Sequence, residues 1–209
     1  MSFPRTRTAA VALALLVGGV TASAVPARAA VTADRAGAQS RALSRFDDGS
    51  FETPKVAANS FLGLSAGQSI GPWRVTGGSV DLIGAGFWQA AEGDQSVDLN
   101  GSSQGTVAQT FATTPGATYS VTYALAGNPE GGPAVKTGRA LVDGQDFQDF
   151  SFDTTGKSRA AMGYVGRQFT FVATSASTTL AFASTTGSGA YGPVVDDVQV
   201  RECRACPTC

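Results

Sequence analysis

Two adjacent carboxylates, Asp196 and Asp197, sit inside Gly187 to Val200, a stretch reading Gly-Ser-Gly-Ala-Tyr-Gly-Pro-Val-Val-Asp-Asp-Val-Gln-Val. A glycine-rich turn here runs into an apolar strand. Alternation along a strand assigns Val194, Asp196, Val198 and Val200 to one face and Val195, Asp197, Gln199 and Arg201 to the other. The first set reads as the core face, where an ionised carboxylate is costly unless it is hydrogen-bonded, paired or bound to a cation. Two readings of Asp196 follow. Backbone N–H groups or an arginine could satisfy it, or it could hold calcium. The second gains from Asp47-Asp48-Gly49-Ser50-Phe51-Glu52, an acidic turn near the start of the folded part that offers the hard oxygen ligands calcium uses. The expected metal ligands are Glu52 and Asp196, with carbonyl oxygens near Asp48 and Ser50 completing the shell of a structural ion.

The chain contains no histidine, which removes Ser-His-Asp and Cys-His nucleophiles, imidazole zinc sites and histidine general bases together. What remains suits recognition of sugars. Sugars present C–H faces that stack on flat aromatic rings and hydroxyls that need polar partners. Trp73, Trp88 and Tyr191 are candidate platforms, with Gln89, Asp98 and Asn100 as polar neighbours; the alternative for each ring is core packing. Asn100 also opens an Asn-Gly-Ser glycosylation sequon. A hydrolase with two carboxylates would need no histidine, and Glu52, Glu92, Asp94 and Glu130 are available to it.

Three cysteines, Cys203, Cys206 and Cys209, close the chain as Cys-x-x-Cys-x-x-Cys. With no fourth ligand nearby, one local disulfide with a leftover thiol is the expected arrangement in an oxidising compartment. The leftover thiol would allow a disulfide-linked homodimer, and a structural envelope protein self-associating through this tail is a third functional reading.

Several segments position these residues. Arg5 and Arg7, the apolar run Ala9 to Val20 and Ala27-Arg28-Ala29 together read as a secretory signal peptide over 1–29. Residues 30–45 are rich in Ala, Arg and Ser and read as a disordered leader. The whole chain carries 15 Lys and Arg against 16 Asp and Glu, and three of the arginines, Arg5, Arg7 and Arg28, fall in the signal peptide, so the remainder is acidic. Nucleic acid is not an expected partner, because phosphate binding needs clustered Lys and Arg. No second long apolar run follows, so no membrane span is expected. From residue 46 to 201, short alternating segments recur between Gly, Pro and Asp turns. The clearest is Tyr119, Val121, Tyr123 and Leu125 interleaved with Ser120, Thr122 and Ala124. Nine or so such strands, with no helical period, predict one all-β domain, a single β-sandwich or jelly roll, and 202–209 form a cysteine-containing tail.

Seven motifs stand in order: Asp-Gly-Ser-Phe-Glu at 48–52, Gly-Pro-Trp-Arg-Val at 71–75, Gly-Ser-Val-Asp at 78–81, Trp88, Ser-Val-Asp-Leu-Asn-Gly at 96–101, Leu-Ala-Gly-Asn at 125–128, and Gly-Ala-Tyr-Gly-Pro-Val-Val-Asp-Asp-Val at 189–198. Together they resemble the choice-of-anchor C family, a bacterial extracellular domain similar to a plant cell-wall family named only as a domain of unknown function. The resemblance spans Phe46 to Arg201. It implies a galactose-binding-like β-sandwich, attachment to polysaccharide of a cell surface or wall, and a structural calcium at Glu52 and Asp196. Two departures stand out. Asp48 replaces the usual Asn, adding charge beside the expected ion, and the cysteine tail stands where relatives carry a sorting signal or anchor. The leading expectation is a secreted, non-catalytic carbohydrate-binding or cell-wall-associated module whose partner is a polysaccharide.

Overall fold

Within residues 45–187 and 189–203, which the computed structural model describes, the alternating segments form twelve strands and no helix. In chain order these are β1 (Phe61–Ser65), β2 (Ser69–Ile70), β3 (Trp73–Gly77), β4 (Ser79–Ile83), β5 (Ser96–Asp98), β6 (Thr106–Ala112), β7 (Thr118–Gly127), β8 (Val135–Val142), β9 (Gln145–Asp153), β10 (Val165–Val172), β11 (Ser177–Ser184) and β12 (Pro193–Glu202). They pair into two six-stranded sheets. The first runs β1-β4-β5-β12-β7-β10 and the second β2-β3-β6-β11-β8-β9. Every strand pairing is antiparallel. The expected all-β sandwich is what forms.

Period-2 patterning explains why the sheets face each other. In β7, Tyr119, Val121, Tyr123 and Leu125 are buried while Ser120, Thr122 and Ala124 are half-buried. In β11, Thr178, Leu180, Phe182 and Ser184 are buried in the same rhythm. The two inner faces meet where the Tyr123 ring lies 4.9 Å from Phe182 and 6.0 Å from Phe150 of β9. Burying rings of this size contributes roughly 1.5–3 kcal/mol each.

The segment before β1 belongs to the same core. Phe46 and Phe51 pack on Trp73 at centroid distances of 5.6 and 5.0 Å. The Gln109 side chain of β6 brackets Asp47, accepting from its N–H at 2.9 Å and donating to its carbonyl at 2.8 Å. Val198 of β12 donates its N–H to the Gly49 carbonyl at 2.9 Å, so the two ends of the domain are joined directly. A Cβ at Gly49 would collide with the Val198 carbonyl, which is why this position tolerates only glycine.

The simple alternation fails in β12, and the register shows why. Directly opposite residues in a sheet share a face. Val195 stands opposite Leu125, on the side of Tyr123 that meets the second sheet, whereas Asp196 stands opposite Ala124 and points away from it. A register shift between Asp196 and Gln199, with Asp197 at φ 44, then reverses the rhythm. Asp196 is therefore not on the inner face assigned to it by alternation. It is nonetheless fully buried, because the β4–β5 connection covers the outer face of the first sheet there. The same cover reaches Ser96 of β5 through Trp88, Val97 faces the core, and Asp98 is closed over by Asn100, Asn128 and Gly192 of other connections, which together explain the unbroken burial of β5.

Residues 1–44 and Cys206 and Cys209 lie outside the described residues, so the signal peptide, nearly all of the leader and two of the three thiols do too. Cys203 is disulfide-bonded, and its N–H donates to the Thr118 carbonyl at 2.8 Å. No helix among the described residues is long and apolar enough to cross a membrane.

Candidate functional site

Asp98, Asn100 and Tyr191 come together at one end of the sandwich, where the β5–β6, β7–β8 and β11–β12 connections meet. Asp98 is the hub. Its Oδ1 accepts the Asn100 and Gly192 N–H groups, each at 2.9 Å, and its Oδ2 accepts the Asn128 amide at 2.7 Å. One carboxylate thus ties all three connections. Asn100 Nδ2 donates to the carbonyls of Gly189 at 2.7 Å and Gly187 at 3.3 Å, and Asn128 Oδ1 accepts the Glu130 N–H at 2.9 Å. The two carbonyls fix the orientation of the Asn100 amide. Its Oδ1 is then left buried with no donor.

Burial drives the electrostatics of this end. Desolvation pushes the Asp98 carboxyl up to about 7, against the pull of the bonds from Asn128, Asn100 and Gly192, and Asp81 opposite it on β4 adds repulsion. Asp81 itself is raised to about 6 by burial. Lys136 of β8, wholly buried, donates to the Gly131 carbonyl at 2.5 Å. Burial lowers its pKa, while the charge of Asp98 works in the opposite direction. Above this polar floor stands Tyr191. It holds φ 73 and is 40% exposed, and its ring lies so close to Gly131 that a Cβ there would stand 3.0 Å from it. Glycine at 131 thus gives the ring a flat backbone to lean on.

The other three expected glycan contacts lie elsewhere. Trp73 is wholly buried, its Nε1 donating to the Asp48 carbonyl at 2.9 Å, and Trp88 is only 5% exposed, its Nε1 donating to Ser96 Oγ at 2.8 Å. Both rings are core, which corrects the expectation that they serve as exposed platforms. Gln89 is exposed but ties two connections together: its N–H donates to the Arg159 carbonyl at 2.8 Å and its Oε1 accepts the Met162 N–H at 3.2 Å. The sequon asparagine, Asn100, is fully buried with its amide engaged, so in the folded chain it is closed to glycosylation.

The residues expected to hold calcium do converge, on the β4–β5 connection, but as acceptors for N–H groups. Asp196 Oδ2 accepts from Ala91 at 2.8 Å and Glu92 at 3.1 Å, and its Oδ1 from Asp197 at 2.6 Å. Burial raises Asp196 to about 7 despite these bonds. Glu52 Oε1 accepts from Asp94 and Gln95 at 2.7 and 2.8 Å, and the Lys55 ammonium occupies its Oε2. Desolvation raises the Glu52 carboxyl, but Lys55 and the two N–H groups outweigh it and hold it below its ordinary value. Asp48 turns Oδ1 and Oδ2 to the Glu52 and Thr53 N–H groups, and Ser50 lies in the adjoining turn. Among the described residues no group of three or more His, Cys, Asp or Glu could hold a metal. A calcium shell is built of oxygen lone pairs facing a shared centre; here those lone pairs face N–H donors and an ammonium, so the residues do not fit the ion. Backbone donors satisfy Asp196, the other reading of this carboxylate.

Asn128 as a ligand and Lys136 stand outside the residues that type and spacing single out. The signal for Lys136 is that it takes a buried place in the alternation of β8, where Gly138, Ala140 and Val142 follow at the same spacing.

Among known proteins, the halomucin of Haloquadratum walsbyi is 31% identical to this chain over 161 residues, covering 74% of this chain and 2% of halomucin, so the match spans a small part of that relative. Among solved structures, a family 35 carbohydrate-binding module from Clostridium thermocellum matches with a TM-score of 0.45 at 14% identity, covering 69% of this chain and 99% of that one. A xylan-binding domain from Paenibacillus barcinonensis matches with a TM-score of 0.46 at 17% identity, covering 72% and 99%. One family model matches residues 44–201, from just before Phe46 to the end of the last strand's apolar part, and the chain belongs to that family, described as a protein of unknown function, DUF642.

Proposed function

We propose that the protein is an extracellular, non-catalytic carbohydrate-binding module that contacts its glycan at the loop end around Tyr191. The observation that carries this reading is the Tyr191 ring, exposed beside connections that a buried polar cluster of Asp98, Asn100, Asn128 and Lys136 holds in place. A ring held flat by Gly131 meets the C–H face of a sugar at little conformational cost, and the neighbouring connections supply carbonyls and amides for its hydroxyls. The disulfide at Cys203 supports an oxidising, extracellular setting. A polysaccharide of a cell surface or wall is the partner that the choice-of-anchor C resemblance implies, and the loop end suits it.

Non-catalytic binding also agrees with the state of the carboxylates. Glu52 is saturated by two N–H groups and Lys55, and Glu130 is paired with Arg159 at 3.0 Å. Neither stands ready to protonate a glycosidic oxygen. Sedimentation of the purified protein with a panel of insoluble polysaccharides, with reducing sugar measured in the same tubes, tests the reading. Retention without sugar release is expected. Release would make the protein a hydrolase, and absence of both across the panel would contradict glycan binding.

A further inference from the structure

We infer that the outer face of the second sheet carries a second glycan subsite, a groove between Arg139 and Arg167 that takes a sugar bearing a carboxylate or sulfate group. The register builds it. Thr137 stands opposite Ser151 and Arg139 opposite Asp149 in the β8–β9 pair, so all four project from the same face, while Gly138 and Phe150 between them turn inward. Thr185, just beyond β11, donates its hydroxyl to Thr137 Oγ1 at 2.9 Å and closes one side. Arg167 reaches in from β10, the edge of the other sheet, and donates Nη2 to the Ser151 carbonyl at 3.1 Å. These residues line a cavity of about 480 Å³, within the roughly 300–1,000 Å³ of small-ligand sites.

Two features of the groove point to an anion. Arg139 Nε and Arg167 Nε are both buried with no hydrogen-bond acceptor. A guanidinium N–H withheld from water and from any acceptor costs stability, so each arginine side chain gains by turning toward a ligand oxygen in the groove. The charges then divide the labour. Arg139 is already countered by Asp146 at 2.6 Å and by Asp149 at 4.0 Å. Arg167 has no carboxylate partner among the described residues. A planar guanidinium fork matches the paired oxygens of a carboxylate or sulfate, so Arg167 is the anion ligand. Arg139, Asp149 and the Thr137, Ser151 and Thr185 hydroxyls supply donors and acceptors for the sugar hydroxyls.

Affinity electrophoresis of the intact protein through gels containing alginate, dextran sulfate or neutral dextran tests this, at low and at physiological ionic strength. The wild type is expected to be retarded by alginate or dextran sulfate more than by dextran, and less so in salt, since exposed charge pairs are screened. Retardation by alginate alone assigns a carboxylated sugar, and by dextran sulfate alone a sulfated one. Arg167→Gln is expected to weaken the polyanion interaction at least tenfold. Arg139→Gln, which frees Asp149 to repel the anion, is expected to weaken it as well, with unchanged melting curves showing that both variants fold. Tyr191→Ala should keep full polyanion binding, so the loop-end reading can fail without this one. Retardation by neither polyanion, or polyanion binding that survives both arginine substitutions, would overturn the assignment.

Discussion

The two sheets treat their outer faces differently. On the first, the β4–β5 connection and its neighbours lie over the strands, so Ser96, Asp98 and Asp196 are buried although they point away from the sandwich core. On the second, Thr137, Arg139, Asp149, Ser151 and Thr185 stand on a face that no such connection covers among the described residues, and none of them is buried. The same residue types therefore do different work. Under a cover, a carboxylate becomes a fastener for loops, because each unmade bond to a buried N–H would be costly; on a bare face it remains free to meet a ligand.

Substitutions should separate the two faces most sharply through stability. Trp88→Ala removes a large ring from beneath the cover and should destabilise the fold by about 3–5 kcal/mol, read from denaturant unfolding. Asp98→Ala leaves the N–H groups of Asn100 and Gly192 and the Asn128 amide without their acceptor, and Lys136 without its counter-charge. A loss of about 2–4 kcal/mol is expected. Asp149→Ala on the bare face should change stability by no more than about 0.5 kcal/mol. Equal effects of Asp98→Ala and Asp149→Ala would erase the distinction.

The covered carboxylates also set a pH dependence. Asp98 and Asp196 are raised to about 7 by burial, and Asp81 to about 6. A carboxyl whose folded pKa is raised contributes stability that is present below its unfolded value, near 4, and is lost as pH rises through the folded value. The melting temperature should therefore fall between pH 5 and pH 8, and Asp196→Asn should flatten the slope. A melting temperature that climbs over that interval would contradict the burial of these groups in their raised-pKa state. The smallest effect belongs to metal removal. Because Glu52 and Asp196 face N–H donors and Lys55, chelator should leave the melting temperature unchanged; a fall of several degrees, restored by calcium, would show that these oxygens rearrange around an ion.

These differences mark how far the sequence could be read. The sandwich was legible because β7 and β11 keep strict alternation of large apolar and small polar residues, which only a half-buried strand needs. The meeting of the acidic turn with the last strand was legible as well, and Val198 bonding to Gly49 realises it. Asp196 departs from the inner face that alternation gives it because a two-residue period carries no trace of a bulge or of a cover on the far side. The tryptophans illustrate the same limit. Trp88 lies outside any strand, and nothing in its neighbours says that its Nε1 meets a buried serine 8 residues later. Asp98, Asn100 and Tyr191 were each visible as polar or aromatic residues beside turns, but their convergence depends on β12 pairing with both β5 and β7, a long-range register that no local pattern encodes. The Arg139–Arg167 groove needs the same kind of knowledge, the alignment of β8 with β9 and the proximity of β10.

Tyr191 gives the most direct test of glycan binding at the loop end. On whichever insoluble polysaccharide retains the wild type, the dissociation constant should be measured for the wild type and for Tyr191→Ala at matched ionic strength, with melting curves for both. Loss of the ring should weaken binding by roughly 1–3 kcal/mol, on the scale of base–aromatic stacking, while the melting temperature is held, because the ring is 40% exposed and none of the loop-end hydrogen bonds runs through it. Unchanged binding by a folded Tyr191→Ala variant would contradict the placement of the glycan at this end of the sandwich.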